Sequence, residues 1–191
     1  MTSVPRFPFT RPDLQLTRPI VLVGLMGAGK TTTGRRLAKR LNIPFVDSDE
    51  AVEEAAGMKV SDLFEIYGEA DFRDGERRVV ARLLDEEPKV LATGGGAFMN
   101  AETRALVKQK STSIWLKADL ATHVRRTSLK DTRPILRKGN PEDILRKLMA
   151  EREPVYAEAD ITVESRDGPH RDTVGSVMKA LHKFRKEGKK L

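Results

Sequence analysis

No cysteine occurs among the 191 residues, which excludes a disulfide framework and a thiolate metal site and agrees with a reducing compartment. Long hydrophobic runs are missing too. The longest, IVLVGLMGAG from Ile20 to Gly29, falls far short of the ~20 residues that cross a bilayer. It reads as a core strand entering a loop, and no membrane partner is expected. The opening segment lacks the apolar stretch of a secretory signal, and Pro5, Pro8, Pro12 and Pro19 deny it a helix, so a flexible extension is expected over residues 1–18. It contains arginine and little acid, as a transit peptide does, but the prolines spoil the amphipathic helix such a peptide needs. His123, His170 and His182 show no metal-ligand spacing, and no internal repeat is present.

What remains is a soluble globular composition, 39% hydrophobic and 33% charged, long enough for one domain with a real core. The net charge of +7 raises the question of nucleic acid, and its location answers it. Arg6, Arg11 and Arg18 against Asp13 give residues 1–18 a charge of +2. Lys183, Arg185, Lys186, Lys189 and Lys190 against Glu187 give residues 182–191 a charge of +4. Only +1 is left for everything between. The basicity belongs to the ends and reads as solvated tails, so no nucleic-acid partner is expected. The organisation is then an extension over 1–18, a single domain over 19–181 and a basic C-terminal tail over 182–191.

Apolar runs of strand length recur at residues 19–24, 43–47, 89–93, 112–116 and 160–164. They are short, β-branched and read as covered on both faces. Between them lie helical patterns, one marked by Leu37, Ala38 and Leu41 and another by Val79, Val80, Leu83 and Leu84. Asn100, Asp119 and Asp172 are candidate helix caps. Such alternation implies a parallel sheet sandwiched by helices, with ligands at the carboxyl ends of the strands. The piece from Ser48 to Gly75 exceeds a minimal connection and suits a substrate-binding insertion, a segment taken as 48–76.

Directly after the first strand comes GLMGAGKT, Gly24 to Thr31, which fits GxxxxGK[ST]. Glycines let backbone amides turn onto phosphate oxygens, Lys30 adds a point charge, Thr31 offers a hydroxyl to Mg²⁺, and the following helix aims its positive end at the same anion. No guanine-reading NKxD motif follows. A small-molecule kinase then needs a site for an acceptor hydroxyl. The stretch FVDSDE, Phe45 to Glu50, puts Asp47 and Asp49 on one face if the chain stays extended through Ser48. Asp47, beside the loop, would face the Mg²⁺ shell through water. The plain alternative for Asp49 is an N-cap for the helix beginning at Glu50.

Three further pieces are GEADFRDGE at 68–76, TGGG at 93–96 and EREPVY at 151–156. With the phosphate loop and DSD, this ordered set resembles the shikimate kinase family from Ile20 to about Val177. The resemblance implies an α/β fold, the P-loop NTPase three-layer sandwich of the nucleoside-monophosphate-kinase type, with a five-stranded parallel sheet in the order 2-3-1-4-5, a lid and a substrate-binding insertion. It implies phosphoryl transfer from ATP to the 3-hydroxyl of shikimate on the way to aromatic amino acids, with Mg²⁺ as cofactor, in a cytoplasmic monomer. ATP would be held by Gly27, Ala28, Gly29, Lys30, Thr31 and Thr32, with Arg126 and Arg166 at the adenine. Shikimate would be held by Asp49, Arg73, Gly94, Gly95, Gly96 and Arg152. The catalytic groups would be Lys30, Asp49, which orients the hydroxyl and accepts its proton, and Arg133 of a lid at about 130–143. Thr31 and Asp47 would serve the metal.

Independent chemistry supports the arginines, because a planar guanidinium fits a carboxylate better than lysine does. Glu76, three residues after Arg73, would orient it if the helix continues through Gly75. An ordinary surface ion pair is the alternative. Arg126 has its own alternative, a charge on a helix surface, and Pro169 is a further candidate for the adenine wall. Phe64 and Phe72 share a helical face, as ring-walling residues or as core. A kinase of another hydroxy acid such as gluconate would keep the phosphate loop but lack the combined motifs, and a nucleic-acid module would leave the loop idle.

Overall fold

Short β-branched runs separated by amphipathic helices bury their strands most fully in a parallel sheet with helices on both sides. The computed structural model describes residue 14 and residues 16–128, 139–166, 168 and 170–191. Strands β1 (Ile20–Val23), β2 (Phe45–Asp47), β3 (Val90–Ala92), β4 (Thr112–Lys117) and β5 (Ile161–Glu164) form one five-stranded sheet in the order β2-β3-β1-β4-β5. Every neighbouring pair is parallel, as expected. The helices are α1 (Lys30–Leu41), α2 (Ser48–Ala56), α3 (Val60–Leu84), α4 (Ala101–Lys110), α5 (Leu120–Ser128), α6 (Pro141–Tyr156) and α7 (His170–Lys186), with a short 3-10 turn at Ala97–Met99.

Alternation along β1 divides the core in two. Ile20 and Leu22 pack with Leu37 of α1 and Val177 and Leu181 of α7. Val21 and Val23 pack on the opposite face with Val80 of α3, Val107 of α4 and Leu145 of α6. All of β1 is buried. β5 departs from the expectation of two covered faces, since Ile161 and Val163 are buried while Thr162 and Glu164 are exposed. It is one of the two edge strands, β2 being the other, and its buried residues join the α7 side of the core.

Asn100 and Asp119 cap as expected: Asn100 Oδ1 accepts from Thr103 N at 2.9 Å and Asp119 Oδ1 from Thr122 N at 2.7 Å. Asp172 does not cap, because α7 begins earlier, at His170, and places this carboxylate in its first turn. The same exposed amides favour an acid there. The stretch 131–143, read as loop, ends as helix: Asn140 caps α6 through Glu142 N at 2.9 Å, and Pro141 is its first residue, where a missing N–H costs nothing. Residues 129–138, which hold most of the expected lid with Arg133, lie outside the described residues, as do 1–13 and Pro169.

The basic C-terminal stretch is not free chain. α7 runs through Lys186, Leu191 is buried, and its carbonyl accepts from Thr17 N at 2.7 Å and from Thr17 Oγ1 at 2.6 Å. Between β2 and β3, α2 and α3 fill the long connection. Gly75 is helical, but α3 breaks at Gly68, whose φ of 77° and ψ of 176° leave the helical region.

Leu22 sits wholly buried on the central strand. Its replacement, Leu22→Ala, should lower the unfolding free energy by about 2–5 kcal/mol. Urea denaturation checks this; a loss below about 1 kcal/mol would place the side chain outside a close-packed core.

Candidate active site

β1 delivers the chain to the loop Gly24–Gly29 at the carboxyl end of the sheet. Gly29 caps α1 in the left-handed region, with φ 87° and no side-chain cap, a conformation that glycine adopts without steric cost. The first amides of α1 therefore face the loop without a capping side chain, as anion binding requires. Five consecutive loop carbonyls each accept a side-chain hydrogen bond. Lys30 Nζ donates to Gly24 O at 2.6 Å and to Leu25 O at 3.1 Å. His123 Nδ1 lies 2.7 Å from Met26 O, Arg126 Nη1 donates to Gly27 O at 3.2 Å, and Ser165 Oγ donates to Ala28 O at 2.8 Å.

His123, left unassigned by the sequence, is thus part of the loop's surroundings. Burial pushes its pKa down, and Lys30 and Arg126 push the same way against the Met26 hydrogen bond and Asp119. A neutral ring that bonds a carbonyl through Nδ1 carries its proton there. Arg126, expected at the adenine, also donates to Ser165 Oγ at 3.0 Å and to Arg166 O at 2.8 Å. Arg166 joins this set by its carbonyl, while its side chain is exposed. Neither His123 nor Ser165 carries a local sequence signal, since their loop partners are 97 and 137 residues away in the chain.

At the other end of the loop, Thr31 Oγ1 donates to Asp47 Oδ2 at 2.8 Å. The chain does not stay extended through Ser48: Asp47 is the N-cap of α2 and its Oδ1 accepts from Asp49 N at 3.1 Å. Asp49 is therefore inside the first turn, and the cap role weighed for it belongs to Asp47. Two hard oxygens side by side at an exposed loop suit Mg²⁺, which takes few protein ligands and keeps its waters. Among the described residues no group of three or more acidic or histidine side chains could cage a metal. Glu50 stands in the first turn of α2, where an acid is favoured, and pairs with Arg35 at 3.0 Å.

The TGGG turn after β3 gathers the other residues. A Cβ placed on Gly94 would lie 2.5 Å from Asp49 Oδ1 and 3.1 Å from Glu76 Oε1, and one on Gly96 would overlap the Arg73 guanidinium. Only glycine admits those approaches. Gly94 N donates to Ser48 Oγ at 3.0 Å. Gly95 O accepts from Arg152 Nη1 at 3.2 Å and from the hydroxyl of Tyr156 at 2.5 Å. Burial pushes the Tyr156 phenol up to about 12, so it stays a donor; its partner is 61 residues away in the chain, and EREPVY alone carries no sign of the bond. Arg73 Nη1 bonds Glu76 Oε2 at 2.6 Å, with Arg73 20% and Glu76 1% exposed. The pair is therefore not the exposed surface pair that was the alternative. Burial raises the Glu76 pKa, and Arg73 opposes it. The rings of Phe64 and Phe72, tilted by 31° with centroids 4.2 Å apart, both lie under the Arg73 guanidinium, which lines a cleft together with Arg152, Gly96 and Asn100.

The depressed pKa of His123 sets a pH dependence of stability. The unfolded ring titrates at about 6.5 and the folded one below that, so below about pH 6.5 the unfolded state binds more protons. The contribution is fully present above that pH and is lost as pH falls toward the folded pKa. His123→Asn should therefore narrow the drop in Tm between about pH 7.5 and pH 5.5 relative to wild type. Equal drops in both proteins would contradict a neutral buried ring.

Comparison with known proteins agrees with this geometry. The family model described as Shikimate kinase matches residues 26–182. A shikimate kinase of Caulobacter vibrioides is 56% identical over 164 residues, 86% of this chain and 82% of that protein. The structure of shikimate kinase from Acinetobacter baumannii in complex with shikimate superposes with a TM-score of 0.85 at 38% identity, covering 90% of this chain and 96% of the other. A gluconokinase structure from Sinorhizobium meliloti, at 17% identity and a TM-score of 0.64 over 91% of this chain and 97% of its own, shares the fold alone. The phosphate loop, the DSD pair and the glycine turn thus stand in a chain that belongs to the shikimate kinase family.

Proposed function

We propose that the protein transfers the γ-phosphoryl group of ATP to the 3-hydroxyl of shikimate, yielding 3-phosphoshikimate and ADP. One observation carries this reading beyond family membership. The turn that gathers Asp49, Arg73 and Arg152 lies against the phosphate loop, since a Cβ on Gly95 would sit 3.6 Å from Met26 N and 3.7 Å from Gly24 O. An acceptor on the turn and a phosphate on the loop therefore meet in one cleft. Phosphoryl transfer asks a protein chiefly for this alignment and for charge neutralisation.

Arg73 and Arg152 bind the carboxylate of shikimate as guanidinium forks. Asp49, beside Gly94, orients the acceptor hydroxyl and takes its proton as the oxygen bonds to the γ-phosphorus. The bond from that phosphorus to the β–γ bridging oxygen breaks, ADP leaves, and Asp49 returns its proton to solvent. Lys30 and the amides of α1 neutralise the phosphates. Thr31 and Asp47 would hold Mg²⁺, which when bound offsets charge on the β- and γ-oxygens. Arg133 is proposed as the lid cation that excludes water from the phosphates. Dependence on ATP fits a cytoplasmic location. Among the described residues no helix is long and apolar enough to cross a membrane.

A coupled assay of ADP release with shikimate, quinate and gluconate tests the substrate; no shikimate-dependent ADP would overturn the reading. Asp49→Asn should cut kcat by at least about 100-fold with Tm unchanged, because the α2 cap belongs to Asp47. Wild-type turnover in that variant would remove Asp49 from the chemistry. For the carboxylate clamp, Arg152→Ala is cleaner than Arg73→Ala, which also strands buried Glu76. Its KM for shikimate should rise about tenfold or more at unchanged KM for ATP; equal rises in both would point to a general disturbance of the cleft. Lys30→Ala should abolish turnover while shikimate still binds, as calorimetry can show.

A further inference from the structure

A trans peptide plane points its carbonyl and the following N–H in opposite directions. A group that fixes the carbonyl of one loop residue therefore aims the amide of the next. The bond from His123 to Met26 O fixes the amide of Gly27, and the bond from Ser165 to Ala28 O fixes that of Gly29. Both glycines have positive φ, 79° and 87°, and glycine backbone is the most costly to order. The plane between them is held twice, since Arg126 bonds Gly27 O and Ala28 N donates to Leu25 O at 3.2 Å.

We propose that His123 is a positioning residue for nucleotide binding, whose Nδ1–H holds the Met26 carbonyl away from the phosphate site, with Ser165 doing the same for Ala28. The loop is thereby ordered before nucleotide arrives, so binding does not have to supply that ordering. The proposal rests on reading the loop as the ATP-phosphate site.

Three observations separate this role from that of an ordinary core histidine. His123 is 2% exposed, yet its bond goes to the loop and not to its own helix. His182, by contrast, bonds Met178 O four residues back on α7 at 2.7 Å. The His123 backbone is also pinned, because Thr127 Oγ1 donates to His123 O at 2.7 Å. The ring and that carbonyl lie against the open side of Gly27, where an added Cβ would meet Nδ1 at 3.4 Å and the carbonyl oxygen at 3.3 Å.

The test uses the full chain and Mg-ADP as probe. His123→Leu keeps apolar bulk and removes the donor; His123→Asn keeps an N–H near the place of Nδ1. Calorimetry should show the leucine variant binding Mg-ADP about five- to tenfold more weakly, with KM for ATP raised alike and with kcat and KM for shikimate within about twofold. The asparagine variant should recover most of the affinity. Without nucleotide, hydrogen exchange over residues 26–30 should quicken in His123→Leu and not in His123→Asn. Wild-type affinity in His123→Leu, or equal losses in both variants, would overturn the proposal. Should His123→Leu fail to fold, Ser165→Ala reads the second plane: weaker Mg-ADP binding at unchanged KM for shikimate is expected, and unchanged Mg-ADP affinity overturns the proposal. Wild-type protein that does not bind Mg-ADP would overturn the kinase reading and this one together. Binding by wild type with no change in the variants overturns the brace alone.

Discussion

A peptide plane cannot offer both of its ends to one anion. Amides converge on a phosphate only where the carbonyls between them are held elsewhere, and in this protein that constraint reaches through most of the fold. Gly24 and Leu25 are served by Lys30 from α1, Met26 and Gly27 from α5, and Ala28 from the end of β5. β1 lies centrally, between β3 and β4, so its carboxyl end is flanked by chain that can reach the loop from both sides. The sheet order is in this sense a condition of the site. A loop at a sheet edge would have neighbours on one side only.

The acceptor half rests on missing atoms. Gly94, Gly95 and Gly96 present backbone where any other residue would present a side chain, and two carboxylates and two guanidinium groups close onto that surface. Like charges tolerate such proximity because opposite charges stand among them. Glu76 is the costly member: burial raises its pKa, with Arg73 as the main opposing influence, and its Oε1 has no hydrogen-bond partner among the described residues. Holding Arg73 in one orientation thus draws on a buried carboxylate and two aromatic rings. A guanidinium on an exposed helix would have rotamer freedom to lose on binding.

What the sequence could and could not reveal follows from contact distance along the chain. The phosphate loop, the strand order and the Arg73–Glu76 pair rest on local spacing or on motif order, and they were legible. Asp47, Ser48 and Asp49 are all favourable caps, so propensity could not say which one begins α2; the tertiary bond from Gly94 N to Ser48 Oγ accompanies the chosen register. His123 and Ser165 act on carbonyls remote in sequence, and no periodicity encodes that. The alternation of β5 was present in Ile161, Thr162, Val163 and Glu164 but too short to stand apart from the other strands. Leu191 looked like the end of a basic tail because its packing partners, Leu14, Leu16 and the α1–α7 face, come from the far end of the chain and across the core.

Gly68 divides α3 into a segment that leans on α2 and one that packs under the sheet through Val80, Leu83 and Leu84. Hydrogen bonding along a helix is cooperative, and a residue with φ of 77° and ψ of 176° interrupts that cooperativity. The two segments are therefore separate cooperative units, with most of the buried apolar surface in the second. Fraying of the first segment takes Phe64 from beneath the Arg73 guanidinium but need not propagate into Phe72, Glu76 or the core residues of the second. The outer segment can thus melt while the phosphate loop stays framed, so thermal loss of acceptor affinity can precede loss of the fold.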